Sequence, residues 1–250
     1  MNELNDVIIE NKETSFCYTC RGNGLEDKPC PECGKQADDI LAEKVKNLDE
    51  LEIGKNNKDK IPTHYRGKIW SAKELIKDYR DKDEELDFME YVKVLNMIHR
   101  SFAKGHIPEY SAFIISPKRM SKTVFAYSCM QYAMVHGKTV APLYDALQVS
   151  QKIKAGDMED ILADVMFMVI QQGYTRTSAW QTILEVLDMR SRINKSTFIL
   201  SEFSLHNISL TDKEKRFIKI IDRTCSGDPK KYPRVLELQD DSFNGGVRRC

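Results

Sequence analysis

Ser111-Ala112-Phe113-Ile114-Ile115-Ser116-Pro117-Lys118-Arg119-Met120-Ser121-Lys122-Thr123 is the stretch whose reading decides the fold. An apolar run of β-forming residues, Phe113 to Ile115, ends in a tight segment. A long helical pattern, Lys122 to His136, begins directly behind it. Strand, loop, Lys-Thr, helix is the order of a P-loop unit. Written against G-x-x-x-x-G-K-[ST], the segment has Ser116 and Ser121 where the two glycines belong. Glycine serves there because the backbone must take left-handed dihedrals and approach phosphate without a Cβ. A serine forced into that conformation costs roughly 1–3 kcal/mol. Lysine and hydroxyl are kept, and the glycine loop is not.

Outward from this unit, apolar runs and helical patterns alternate. Strands are predicted at about Ser111–Ile115, Thr139–Leu143, Asp164–Ile170, Thr197–Ser201 and Val235–Leu238. Helices are predicted between them, at about Lys122–His136, Tyr144–Lys154, Thr177–Arg192 and Asp212–Thr224. Four of the strands are nearly continuous apolar runs, as expected when helices bury both faces of a parallel sheet. The fold class is therefore α/β. Ahead of the sheet the pattern gives helices at about Ala37–Leu51, Ala72–Arg80 and Glu85–Lys104. The polar run Gly54-Lys55-Asn56-Asn57-Lys58-Asp59-Lys60 reads as a linker, so residues 1–53 form one module and residues 61–250 the main domain.

The chain has 250 residues, 41% of them hydrophobic and 30% charged, which is a globular composition. Thirty-eight basic residues balance 38 acidic ones, which counts against wholesale coating of nucleic acid. No apolar run is long enough for a membrane span, and the first residues have no signal character, so the expected location is the cytoplasm. Of seven cysteines, four stand as Cys17-x-x-Cys20 and Cys30-x-x-Cys33. In a reducing compartment two such pairs read as a tetrahedral Zn²⁺ site of four thiolates before disulfides. A segment this short needs such a staple to fold. Cys129, Met166 and Met168 read as core, Trp70 and Trp180 as packing residues, and the five histidines as surface or packing residues.

The Cys17-Tyr-Thr-Cys20-Arg-Gly-Asn-Gly24 … Pro29-Cys30-Pro-Glu-Cys33 cluster is followed by Ile61-Pro62-x-x-Tyr65-Arg66-Gly67 and then by the strand–loop–Lys-Thr–helix unit. In that order the motifs resemble the DnaC/DnaI-type replicative helicase loaders, AAA+ proteins of bacteria and their phages. The resemblance runs from Cys17 to about Asn244. It implies an AAA+/RecA-like parallel sheet of five strands in the order 5-1-4-3-2 with flanking helices, plus a small N-terminal zinc-binding module. The partners it implies are a DnaB-type replicative helicase, single-stranded DNA, and further copies of the chain or an active loader.

The positions that carry catalysis in that family are changed here. The Walker B aspartate falls on Ile170, the water-activating glutamate on Gln171 and the sensor-1 asparagine on Glu202. Isoleucine offers Mg²⁺ no oxygen, and glutamine cannot take a proton as a base at neutral pH. Asp222-Arg223 occupies the arginine-finger position, making Arg223 a candidate finger or an ordinary helix-end arginine. Ser116, Lys118, Arg119, Ser121, Lys122 and Thr123 form the degenerate nucleotide- or anion-binding set. Lys118, Arg119 and Lys122 lie at a helix start, which favours anions in general. Lys122 is open to three readings: a solvated helix-start lysine, a weak ATP or ADP contact, or a contact to another anion. No catalytic residue is expected, and the reading is a pseudo-ATPase acting as a loader-like replication protein. The alternatives are a decoy or regulatory inhibitor of a host helicase or loader, in the host cytoplasm if the chain is phage-encoded, and an unusual active ATPase.

Overall fold

The structure, a computed structural model, describes residues 37–51, 57–79, 85–116, 120–170, 178–202 and 235–237. Its helices are α1 (Ala37–Lys46), α2 (Ala72–Tyr79), α3 (Glu85–Ala103), α4 (Lys122–Val135), α5 (Ala146–Ala155) and α6 (Ser178–Arg192). Its strands are β1 (Ala112–Ile115), β2 (Tyr144–Asp145), β3 (Met166–Ile170), β4 (Thr197–Ser201) and β5 (Val235–Glu237). Two compact units divide at Lys44 and Val45. The composition-based linker at 54–60 falls inside the second unit, where Lys58–Lys60 forms a 3-10 turn and Lys60 lies 4.0 Å from Asp160.

All strand pairs are parallel, in the order β2-β3-β4-β1-β5, which from the other edge reads 5-1-4-3-2. Register is fixed across the sheet centre by Phe113↔Ile199 and Met168↔Ile199, with Ile115 and Ile170 both opposite Ser201. Because side chains alternate along a strand, each of these apolar runs feeds two cores. Phe113, Ile115, Met166, Met168, Ile170 and Ile199 share one cluster with Val149 of α5 and Ile183, Val186 and Leu187 of α6. On the opposite face Phe167 and Phe198 stack at 4.9 Å, with Phe102 of α3 edge-on to Phe198 and Phe125 of α4 edge-on to Phe167. Cys129, Met166 and Met168 are core, as the sequence indicates.

The second strand departs from the sequence reading. Instead of a strand over 139–143, the chain makes an isolated bridge at Val140↔Val165 and a two-residue ladder at Tyr144–Asp145. Pro142 lies between the two and has no N–H to give a ladder. β3 likewise starts at Met166: the Asp164 N–H donates to the Thr139 hydroxyl at 2.8 Å instead of to a ladder carbonyl, and the Asp164 carboxylate accepts from the Thr139 N–H and hydroxyl, both at 2.9 Å. α1 ends at Lys46, and turns carry the chain on to Leu51. The start of α5 is well specified: Asp145 accepts from Gln148 N–H at 2.8 Å, and Gln148 accepts in return from Asp145 N–H at 2.9 Å. That capping box, with left-handed Gly156 at the far end, sets both limits of α5. The helix predicted at 212–224 lies outside the described residues.

Candidate functional site at the carboxyl edge of the sheet

In a parallel α/β sheet the carboxyl ends of the strands open onto the ligand-binding edge. Here Ser116 follows β1, Ile170 ends β3, Glu202 follows β4, and α4 rises from Lys122 at the same edge. Ser116 stays tied to the sheet through its N–H, which donates to Ser201 O at 3.1 Å.

Ser121 caps α4 with φ 53° and ψ 18°, so the left-handed backbone that a glycine would supply is adopted by a serine. Its side chain makes no capping hydrogen bond, while its carbonyl accepts the first helical bond from Phe125 N–H at 2.9 Å. Ser116, at the other glycine position, is not among the described residues with positive φ. The strain expected for two serines therefore falls on one.

Lys122 is folded inward. Only 9% exposed, its Nζ donates to Ser116 O at 2.6 Å and to Ser116 Oγ at 3.1 Å. The same hydroxyl receives the Tyr91 hydroxyl from α3 at 3.0 Å. Burial pushes the Lys122 pKa down to about 8, against an opposing pull from the Glu202 carboxylate. Burial likewise drives the Tyr91 phenol well above its ordinary range, and the bond to Ser116 offsets part of that. Of the three readings for Lys122, the solvated helix-start lysine is excluded by this burial. Ile170 is buried among the apolar residues of the sheet, so the end of β3 presents no side-chain oxygen there. Thr123 follows on α4, half-buried.

The structure thus gathers Ser116, Ser121, Lys122, Thr123, Ile170 and Glu202 at one edge. Lys118, Arg119, Gln171, Arg223 and the four cysteines Cys17, Cys20, Cys30 and Cys33 lie outside the described residues. Among the described residues no group of three His, Cys, Asp or Glu could hold a metal ion. None of the described helices is long and apolar enough to cross a membrane.

The Ile-Pro-x-x-Tyr-Arg-Gly segment lies along α4, held by a residue that sequence reading did not single out. The Gln131 amide accepts from Gly67 N–H at 2.6 Å and donates to Tyr65 O at 3.2 Å and Lys68 O at 3.1 Å. The Tyr65 ring stacks on Tyr127 of α4 at 4.6 Å, and Arg66 closes the turn by donating to Ile61 O at 2.9 Å. One turn earlier on α4, Ser128 Oγ accepts Trp70 N–H at 3.1 Å and lies 2.8 Å from His99 Nε2. The signal for these two positions was available: Ser128 and Gln131 interrupt the apolar and aromatic run Phe125–Met134, which is buried throughout, and such groups require partners.

No protein-family model and no curated protein sequence matches the chain. Among solved structures, it is similar to the crystal structure of the DnaI at a TM-score of 0.42 and 12% identity, over 69% of this chain and 93% of that one.

Proposed function

We propose that the chain is a helicase-loader-like DNA replication protein that binds a replicative helicase of the DnaB type and does so without hydrolysing ATP. The order of the Cys-x-x-Cys pairs, the Ile-Pro-x-x-Tyr-Arg-Gly segment and the strand–loop–Lys-Thr–helix unit supports the loader resemblance. The observation that carries the second half is Lys122, whose ammonium is bonded to Ser116 at the place where a P-loop lysine would meet phosphate. Apolar Ile170 at the end of β3 and Glu202 beside Lys122 support the same reading, because neither suits Mg²⁺-assisted attack by water. Cys17, Cys20, Cys30 and Cys33 suit zinc by donor chemistry and spacing; the metal would fold the N-terminal module and take no part in a reaction.

The test is co-elution of the full chain with its cognate replicative helicase on size exclusion, with and without ATP and Mg²⁺, alongside a steady-state ATPase assay. A complex indifferent to nucleotide, with turnover equal to that of Lys122→Ala, is expected. Turnover that Lys122→Ala abolishes would establish an active ATPase. Absence of a complex would point to another target. Deleting residues 1–44, which leaves the compact unit from Val45 whole, should abolish the complex if the zinc module is the handle.

A further inference from the structure

We propose that the outer face of α3 is a docking surface for an acidic amphipathic helix of a partner protein. The helix turns Tyr91, Val92, Leu95, Ile98 and Phe102 into the protein. Residues three and four apart share one side of a helix, so Met89, Lys93, Met97 and Arg100 line up as a single stripe on the other side. All four are exposed, Met89 to 42% and Met97 to 36%. Glu90 stands off the stripe, half-buried. At the foot of the stripe His136 Nε2 lies 2.8 Å from Ala103 O, which sets the end of α4, with exposed Lys138, beside the end of α3. Elsewhere Arg66, Lys152, Arg192 and Lys195 each have a carboxylate within 3.3 Å. Lys93, Arg100 and Lys138 enter no ion pair among the described residues.

The make-up of the stripe selects its occupant. Three cations with no carboxylate among them call for an acidic partner, and a second copy laid symmetrically on the same stripe would set cation against cation. The two methionines call for apolar side chains, and their unbranched thioethers adapt to varied shapes. Nucleic acid is served less well, because Phe88, Tyr91, His99 and Phe102, the rings of α3, are all buried and leave no face on which a base could stack. From Met89 to Arg100 the stripe runs about 16 Å, the length of three helical turns. A helix with apolar residues two turns apart seats them on Met89 and Met97, and carboxylates on its flanks meet Lys93, Arg100 and Lys138. The surface lies on the unit from Val45 onward and is independent of the helicase reading.

Fluorescence anisotropy on the full chain tests this with three labelled probes: a synthetic helix with a leucine row flanked by glutamates, the same helix with lysine for every glutamate, and oligothymidylate. The acidic helix should bind, and added salt should weaken it. Its affinity should fall at least about tenfold in the double variant Lys93→Glu, Arg100→Glu and in the double variant Met89→Ser, Met97→Ser. All four side chains are exposed, so unchanged urea midpoints are expected for both variants and separate lost binding from lost folding. The surface is overturned if the acidic helix does not bind, if the basic helix binds as tightly, or if either folded double variant keeps the wild-type affinity. Tighter uptake of oligothymidylate that Lys93→Glu, Arg100→Glu abolishes would overturn it in favour of a nucleic-acid contact.

Discussion

Raising the pH through the range in which the Lys122 ammonium gives up its proton should stabilise this fold. The side chain is 9% exposed, and burial holds its pKa at about 8, below the ordinary 10.5. A base whose folded pKa is depressed is charged at a cost below about pH 8, and that cost is relieved as pH climbs towards the unfolded value. Between those limits the unfolded chain binds more protons, so stability rises with pH. With these two values the gain between pH 7 and pH 10 is roughly 2–3 kcal/mol. Urea unfolding of the wild type and of Lys122→Met at a series of pH values isolates it, since other titrating groups are common to both proteins. The wild type should gain on the variant by that amount across the window. A difference that stays flat, or that falls with pH, would mean the ammonium is solvated, and the inward placement of Lys122 would be wrong.

His99 works in the acid range with the same sign. Burial, and then neighbouring Arg100, lower its pKa from 6.5 to about 4, so its neutral form contributes stability above pH 6.5 that is lost as pH falls towards 4; roughly 3 kcal/mol should separate the wild type from His99→Gln over that span, read from denaturant midpoints. Arg190 is fully buried and donates to the carbonyls of Ile161, Ala163 and Ser196 and to the Thr197 hydroxyl. Arg190→Met should cost about 3–5 kcal/mol in the same assay, and Arg190→Lys should recover less than half, because one ammonium cannot span the fork. Gly67 has φ +72°, and a Cβ there would meet Lys46 O at 3.2 Å; Gly67→Ala should cost about 1–3 kcal/mol and loosen the 61–68 segment, seen as faster amide exchange.

Sequence alone determined the α/β class and the order of the units, because burying both faces of a parallel sheet demands the apolar runs around Phe113, Met166 and Thr197–Ser201. It also placed Lys122 at the start of a helix directly behind a strand and marked Ile170 as a position without an oxygen, since isoleucine carries the same chemistry in any conformation. The limits of the second strand were misread, although Pro142 was in plain view and a missing N–H is a local property. Tertiary structure decided the rest. Which of two serines takes the left-handed backbone depends on how β1 hands over to α4, and Ser121 takes it while Ser116 keeps its bond to β4. The direction of Lys122 depends on Ser116, which Tyr91 meets from 25 residues earlier in the chain. Gln131 finds Gly67 across 64 residues and Arg190 finds Ile161 across 29. Local periodicity fixes which face of a helix is buried, but the partner of a buried polar group is chosen by packing between distant elements, and no window of sequence contains it.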